Sequence, residues 1–127
     1  MATDIGEVAK QFVDYYYQQF DSDRQNLSTL YRDNSMLTFE REPYLGTANI
    51  VGKLVGMPFK TVMHQVETFD AQPGVDGGLL VLVTGRLLVD RDVDPDARPM
   101  SYTQAFQLLP EGGSFYVYND IFRLVYA

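Results

Sequence analysis

The chain is 127 residues long, 46% hydrophobic and 21% charged, with 17 acidic side chains against 10 basic ones, a formal charge of −7 and no cysteine. A chain of this size and balance folds rather than staying disordered, most simply as one domain over 1–127 with a core of its own. The charge opposes contact with nucleic acid, the lack of thiols excludes disulfides and cysteine-based catalytic or metal sites, and no apolar run approaches the ~20 residues needed to cross a bilayer.

The N-terminal MATDIGEVAKQF has neither the basic region nor the apolar stretch of a secretion signal, so an intracellular protein is expected. Asp4 to Phe20 is predicted as an amphipathic helix, because Ile5, Val8, Ala9, Phe12, Val13, Tyr16 and Phe20 recur at helical spacing. Asp4 followed by Glu7 resembles a capping box. A polar break, DSDRQN, leads to a short helix carrying Leu27, Leu30 and Tyr31, with Ser22 or Asp23 as its cap. Met36 to Glu40 is predicted as a strand, followed by a turn through Glu42 and Pro43. Thr47 is expected to cap a third helix that buries Ile50, Val51, Leu54 and Val55 and stops before Pro58, which cannot supply the next N–H.

Beyond Lys60 the pattern turns to β, with strands expected at Thr61–Asp70, Gly78–Val89, Ser101–Leu109 and Ser114–Tyr126. The separators QPGVDG, DRDVDPDARP and PEGG are short and rich in turn formers, which favours an antiparallel meander. Helices first and strands afterwards define an α+β fold with the helices on one face of the sheet. The last strand is apolar on both parities: Phe115, Val117, Ile121 and Val125 on one, Tyr116, Tyr118, Phe122, Leu124 and Tyr126 on the other. Either it is a central strand buried within one chain, or a second subunit covers its second face. The reading favoured here is a dimer.

The stretch DRDVDPD places aspartates at 90, 92, 94 and 96. It opens like a calcium loop, but Pro95 stands where glycine is needed and Ser101 where a bidentate glutamate is needed, and the flanks read as strands. A solvated hairpin tip and an acidic surface for a basic partner both remain open. His64 is the only histidine, too few for a histidine-rich metal site. It pairs on paper with Asp120, a carboxylate on an apolar strand face, as an acid/base couple in an aromatic pocket. Against that, Asp120 is equally placed to pair with Arg123, and His64 to bond within the sheet. No phosphate loop and no nucleophile motif is present.

Three segments carry further information: FVDYYYQQFDSDRQNLSTLYRDNSMLTFE, GTANIVGKLVGMPFKTVMHQVETFDAQP and VYNDIFRLVYA. In order and spacing they closely resemble the nuclear transport factor 2 family, its fungal members above all, over nearly the whole chain. The resemblance implies a cone-like fold, three N-terminal helices packed on a strongly bent antiparallel β-sheet, and sheet-to-sheet homodimers. It implies a carrier and not an enzyme, without cofactor, metal or catalytic residue. Such a carrier brings the GTPase Ran, in its GDP form, into the nucleus, binds phenylalanine-glycine repeat nucleoporins, and is found in cytoplasm and nucleus with enrichment at the nuclear pore. The same fold hosts ketosteroid isomerases and scytalone dehydratase, so fold alone does not settle function. An isomerase or dehydratase using Asp120 and His64 is the alternative.

Residue by residue, the resemblance implies that an aromatic side chain of Ran switch II enters an apolar cavity at the mouth of the cone. Phe39, Pro58, Phe59, Val62 and Met100 match its neighbourhood, His64 matches the family's histidine, and Glu40, Asp90 and Asp92 match its acidic rim. Ile5, Asp21 and Pro73 are the candidates for nucleoporin contact. Ile5 stands where the family often has a larger aromatic, which implies weaker nucleoporin binding. Thr61 stands where some members carry lysine, and Asp94 and Asp96 have no secure counterparts.

Overall fold

The computed structural model describes residues 4–125. Helix α1 spans Ile5–Ser22, and the carboxylate of Asp4 accepts the Glu7 N–H at 3.2 Å, so the Asp4 half of the expected capping box is in place. The helix buries Ala9, Val13, Tyr16, Tyr17 and Phe20, each large side chain contributing about 1.5–3 kcal/mol. Of the two candidate caps for the next turn, Asp23 serves: its Oδ1 accepts the Gln25 N–H at 3.1 Å and opens a 3-10 helix over Arg24–Leu30.

Tyr31, expected at the end of that helix, instead begins strand β1, Tyr31–Phe39. The polar RDN that hides this strand is a register break between Tyr31 and Met36. Ser35 makes the break tolerable, accepting the Arg32 N–H at 2.8 Å and donating to the Val117 carbonyl. The chain then reverses at Glu40 and Arg41, both at positive φ (51° and 86°), and not at Glu42-Pro43 as expected. Glu42–Leu45 is strand β2, in which Pro43 is tolerated because β2 forms the sheet edge. Helix α2 spans Thr47–Val55, but Gly46 and not Thr47 is its cap, at φ 86° and with no side-chain bond. It ends ahead of Pro58, as anticipated.

Strands β3 (Val62–Pro73), β4 (Leu79–Val89), β5 (Met100–Glu111) and β6 (Ser114–Leu124) form the expected meander; Tyr126, placed in the last strand from the sequence, lies outside the described residues. The sheet order is β2-β1-β6-β5-β4-β3. The expectation of a wholly antiparallel sheet is corrected, because β1 runs parallel to β6. Pairing of these two strands joins residues 83–86 apart in the chain, so no turn signal announces it. The result is α+β, with α1, the 3-10 helix and α2 on a six-stranded mixed sheet.

Bulges interrupt β3 at Val66/Thr68 and the β5–β6 pair at Gln107/Leu108, and each bends its strand. Gly85 faces the first, where a Cβ would meet the Gln65 carbonyl at 2.3 Å. The second explains the two-faced last strand: Val117 and Ile121 share a parity, yet Val117 is 0% exposed and Ile121 52%. Across the bulge the strand changes which parity faces the helices. On the face away from the helices, Met36, Met63, Leu80, Leu82 and Ile121 remain exposed.

Candidate functional site at one end of the sheet

Register places the predicted site residues together. Phe39 pairs with Phe122, Leu124 with Tyr102, Met100 with Leu87, and Val89 with Val62. The same end of the sheet thus gathers Phe39, Glu40, Val62, Asp90 and Met100, with Pro58 and Phe59 just ahead of β3. Behind them runs a continuous stack of rings that forms the wall of the site, Phe39 half-buried at its open end and Phe122 and Tyr102, 5% and 1% exposed, within the core. Phe39 stacks on Phe122 at 4.7 Å and 5°, Phe122 on Tyr102 at 5.6 Å, and Tyr102 meets the edge of His64 at 5.5 Å. Cations close its flanks: Lys53 Nζ stands 5.3 Å from the Phe39 ring, and the Arg24 guanidinium lies 4.7 Å over Phe59 while donating to its carbonyl.

Backbone N–H groups hold Glu40 and Asp90, and a side-chain hydroxyl holds Asp92. Glu40, half-buried at the β1–β2 reversal, accepts the Leu124 N–H, and its own N–H donates to the Phe122 carbonyl. Asp90 also has positive φ, 51°, and its Oδ1 accepts the N–H groups of Lys60 and Thr61 at 2.9 Å each. Those donors, Thr61 first, hold its carboxyl below the ordinary range. Asp92 accepts from the Thr61 hydroxyl at 2.9 Å. Asp94 accepts the Asp96 N–H at 3.2 Å, an Asx turn within the loop.

His64 does not meet Asp120. Its Nδ1 faces Asp21 Oδ1 at 2.6 Å, and its backbone N–H donates to Asp21 Oδ2 at 2.9 Å. The ring, 2% exposed, stacks on Tyr17 at 4.2 Å. Asp120 is wholly buried and paired neither with His64 nor with Arg123. Gln104 Nε2 donates to its Oδ1 at 2.7 Å, and the hydroxyls of Tyr31 (2.8 Å) and Tyr16 (3.2 Å) reach its Oδ2. Tyr17 donates to Gln104 Oε1 at 2.7 Å, completing the chain. Burial pushes the Asp120 carboxyl up to about 6, the hydrogen bonds pulling it partly back, and burial raises the Tyr16 and Tyr31 hydroxyls well above their usual range. The acid/base couple required by the alternative reading is therefore not assembled. No spacing in the sequence links Asp21 to His64. Gln104 alone left a trace, as a polar residue on the buried parity Tyr102–Gln104–Phe106–Leu108.

The nucleoporin candidates do not cluster within one chain. Ile5 and Asp21 lie at opposite ends of α1, about 24 Å apart at 1.5 Å per residue. Asp21 has both oxygens engaged by His64, and Pro73 ends β3 at the far end from that pair. Among the described residues, no group of three or more His, Cys, Asp or Glu is placed to hold a metal ion.

Three helices on a six-stranded mixed sheet, with an aromatic stack and hydrogen-bonded carboxylates at one end, define an α+β domain of the nuclear transport factor 2-like fold. Residues 8–124 match the Nuclear transport factor 2 (NTF2) domain. The chain is 58% identical over 125 residues to nuclear transport factor 2 of Davidiella tassiana, covering 98% of this chain and 97% of that one. It is 47% identical over 128 residues to the Saccharomyces cerevisiae protein of that name, covering 100% and 99%. The solved structure of nuclear transport factor 2 from Cryptosporidium parvum superposes with a TM-score of 0.89 at 38% identity, over 98% of both chains. The chain belongs to the nuclear transport factor 2 family, and its role is nuclear transport.

Proposed function

We propose that the chain is a nuclear import carrier for Ran in its GDP form, working as one domain over 1–127 and as a homodimer, without catalysis. The observation that carries this reading is the aromatic wall Phe39–Phe122–Tyr102 flanked by Glu40, Asp90 and Asp92. An aromatic anchor from Ran switch II adds buried area against half-buried Phe39 and Phe59 and exposed Pro58 and Met100, with Phe122, Tyr102 and Val62 packed beneath them, and the acids orient basic side chains beside it. His64, clamped by Asp21, supports the wall from behind. Nucleotide selectivity then needs no contact with the nucleotide, because switch II changes shape between GDP and GTP.

The bulged strands support a cone shape. The exposed Met36, Met63, Leu80, Leu82 and Ile121 give the outer sheet face the apolar character of a homodimer interface. Beside α1, a groove of about 440 Å3 has an apolar side formed by Val8, Phe12, Tyr15, Leu30 and Phe115 and a polar side formed by Gln11, Thr29, Arg32 and Ser114, and offers room for nucleoporin phenylalanines on the helix that carries Ile5. Dimerisation also determines whether Asp21 and Pro73 approach such a groove. Weak repeated contacts of this kind suit passage through the pore and a distribution between cytoplasm and nucleus.

The test is Ran-GDP affinity of Asp92→Asn and Glu40→Gln. Both remove a charge and keep an acceptor, so the Leu124 bond to Glu40 survives. Each is expected to weaken binding about ten-fold, chiefly at low salt, with the dimer intact. Unchanged affinity in both would refute the acidic rim.

A further inference from the structure

We propose that Thr61 is the positioning residue of the acidic rim, aiming Asp92 through a neutral hydrogen bond that leaves the carboxylate's charge intact. This rests on the reading of the rim as a docking surface for basic side chains. The loop after β4 is clasped to the start of β3. Asp90 accepts the N–H groups of Lys60 and Thr61, and the Asp90 N–H donates back to the Thr61 carbonyl at 2.9 Å. Asp90 is thereby the anchor of the loop, and at φ 51° it holds a left-handed backbone conformation that aspartate adopts more readily than most side chains. Asp94 is occupied by its own turn.

Asp92 differs from both. Its carboxylate is held by one side chain, the Thr61 hydroxyl, at 2.9 Å to Oδ1. That bond fixes the carboxylate's direction and leaves Oδ2 for an incoming cation. Among the described residues, none of the ion pairs within 4.0 Å involves Asp90, Asp92, Asp94 or Asp96, although Arg91 and Arg98 lie in the same loop. A lysine at 61 would orient Asp92 equally well but neutralise it. A hydroxyl separates the two effects. Residue 61 therefore sets both the direction and the free charge of the rim, and with it the strength and salt dependence of binding to a basic partner.

Four forms of the full chain separate these roles: wild type, Thr61→Ser, Thr61→Val and Thr61→Lys. Each is titrated with Ran-GDP and, separately, with a short lysine-rich peptide followed by the amide resonances of the 90–96 loop. Thr61→Ser is expected to bind within about two-fold of wild type, and Thr61→Val about five-fold more weakly, the worth of one exposed hydrogen bond to a charge. Thr61→Lys is expected to bind more weakly than wild type and with a visibly shallower dependence on salt, whereas all four melt alike. The proposal is overturned by a Thr61→Val protein that binds the peptide as wild type does, by an unchanged salt dependence in Thr61→Lys, or by a wild-type chain that ignores the peptide. Peptide binding without Ran-GDP binding would instead sink the carrier reading, and the peptide titrations would still decide the role of Thr61.

Discussion

Substituting Asp120→Asn would take an ionisable carboxyl out of the core while almost keeping its shape. The wild-type carboxyl is raised by burial from 3.8 to about 6, so the folded chain binds this proton more tightly than the unfolded one does. That contribution to stability is fully present below the unfolded value of 3.8 and is lost as pH rises through about 6. The difference between the two values corresponds to about 3 kcal/mol. The variant needs little rearrangement: if the Gln104 amide turns over, its Oε1 accepts from the new amide and its Nε2 donates to the Tyr17 hydroxyl, which can accept as well as donate. The assay is chemical denaturation of both proteins at one fixed concentration, from about pH 4 to about pH 7.5. Other carboxylates titrate in both proteins and cancel. Because the unfolded carboxyl is already more than half ionised at about pH 4, the variant is expected to gain about 2 kcal/mol relative to wild type across that range, most of it between about pH 4 and pH 6.5. Stability curves that stay parallel within about 0.5 kcal/mol would refute the assignment of a buried, proton-holding carboxyl at 120.

Three further outcomes follow from the geometry. Gly52 sits inside α2 with nothing within 4 Å of the position a Cβ would take, so Gly52→Ala is expected to raise stability by about 0.5–1 kcal/mol in denaturant melts. Asp21→Ala strands the His64 N–H and Nδ1 beside a nearly buried ring; a loss of about 1–3 kcal/mol is expected, together with a changed ring tautomer in nitrogen NMR. Leu82→Glu places a charge on the exposed apolar face of the sheet, and sedimentation should then show monomers. A dimer as tight as wild type would rule that face out.

Pattern made α1 and the meander legible before the structure, since Ile5 to Phe20 repeat at helical spacing and the later strands are apolar and β-branched or aromatic runs divided by the turn-rich QPGVDG, DRDVDPDARP and PEGG. The early strands were not legible for local reasons. Tyr31 looks helical because it follows Leu27 and Leu30, yet its hydroxyl is drawn to Asp120 across the core. Pro43 reads as a turn and is an edge-strand residue, and Thr47 reads as a cap where a left-handed glycine does the capping. Chemistry showed the same division. Asp120 was recognisable as a carboxylate on an apolar face, but its partners come from α1, β1 and β5 and not from His64. The Asp21–His64 pair joins residues 43 apart through tertiary packing alone, with no spacing to betray it. At the rim, the family resemblance pointed to Asp90 and Asp92, whereas their division of labour, one anchoring and one aimed, came from the hydrogen bonds to Lys60 and Thr61.

A carrier of this kind needs a docking site that takes Ran in one nucleotide state. Its most direct test is titration of the wild-type chain with Ran loaded with GDP and with Ran loaded with GTP, each at low and at moderate salt. Binding confined to the GDP form and weakened by salt is the predicted result. A folded chain that binds neither form, or both equally, would contradict it.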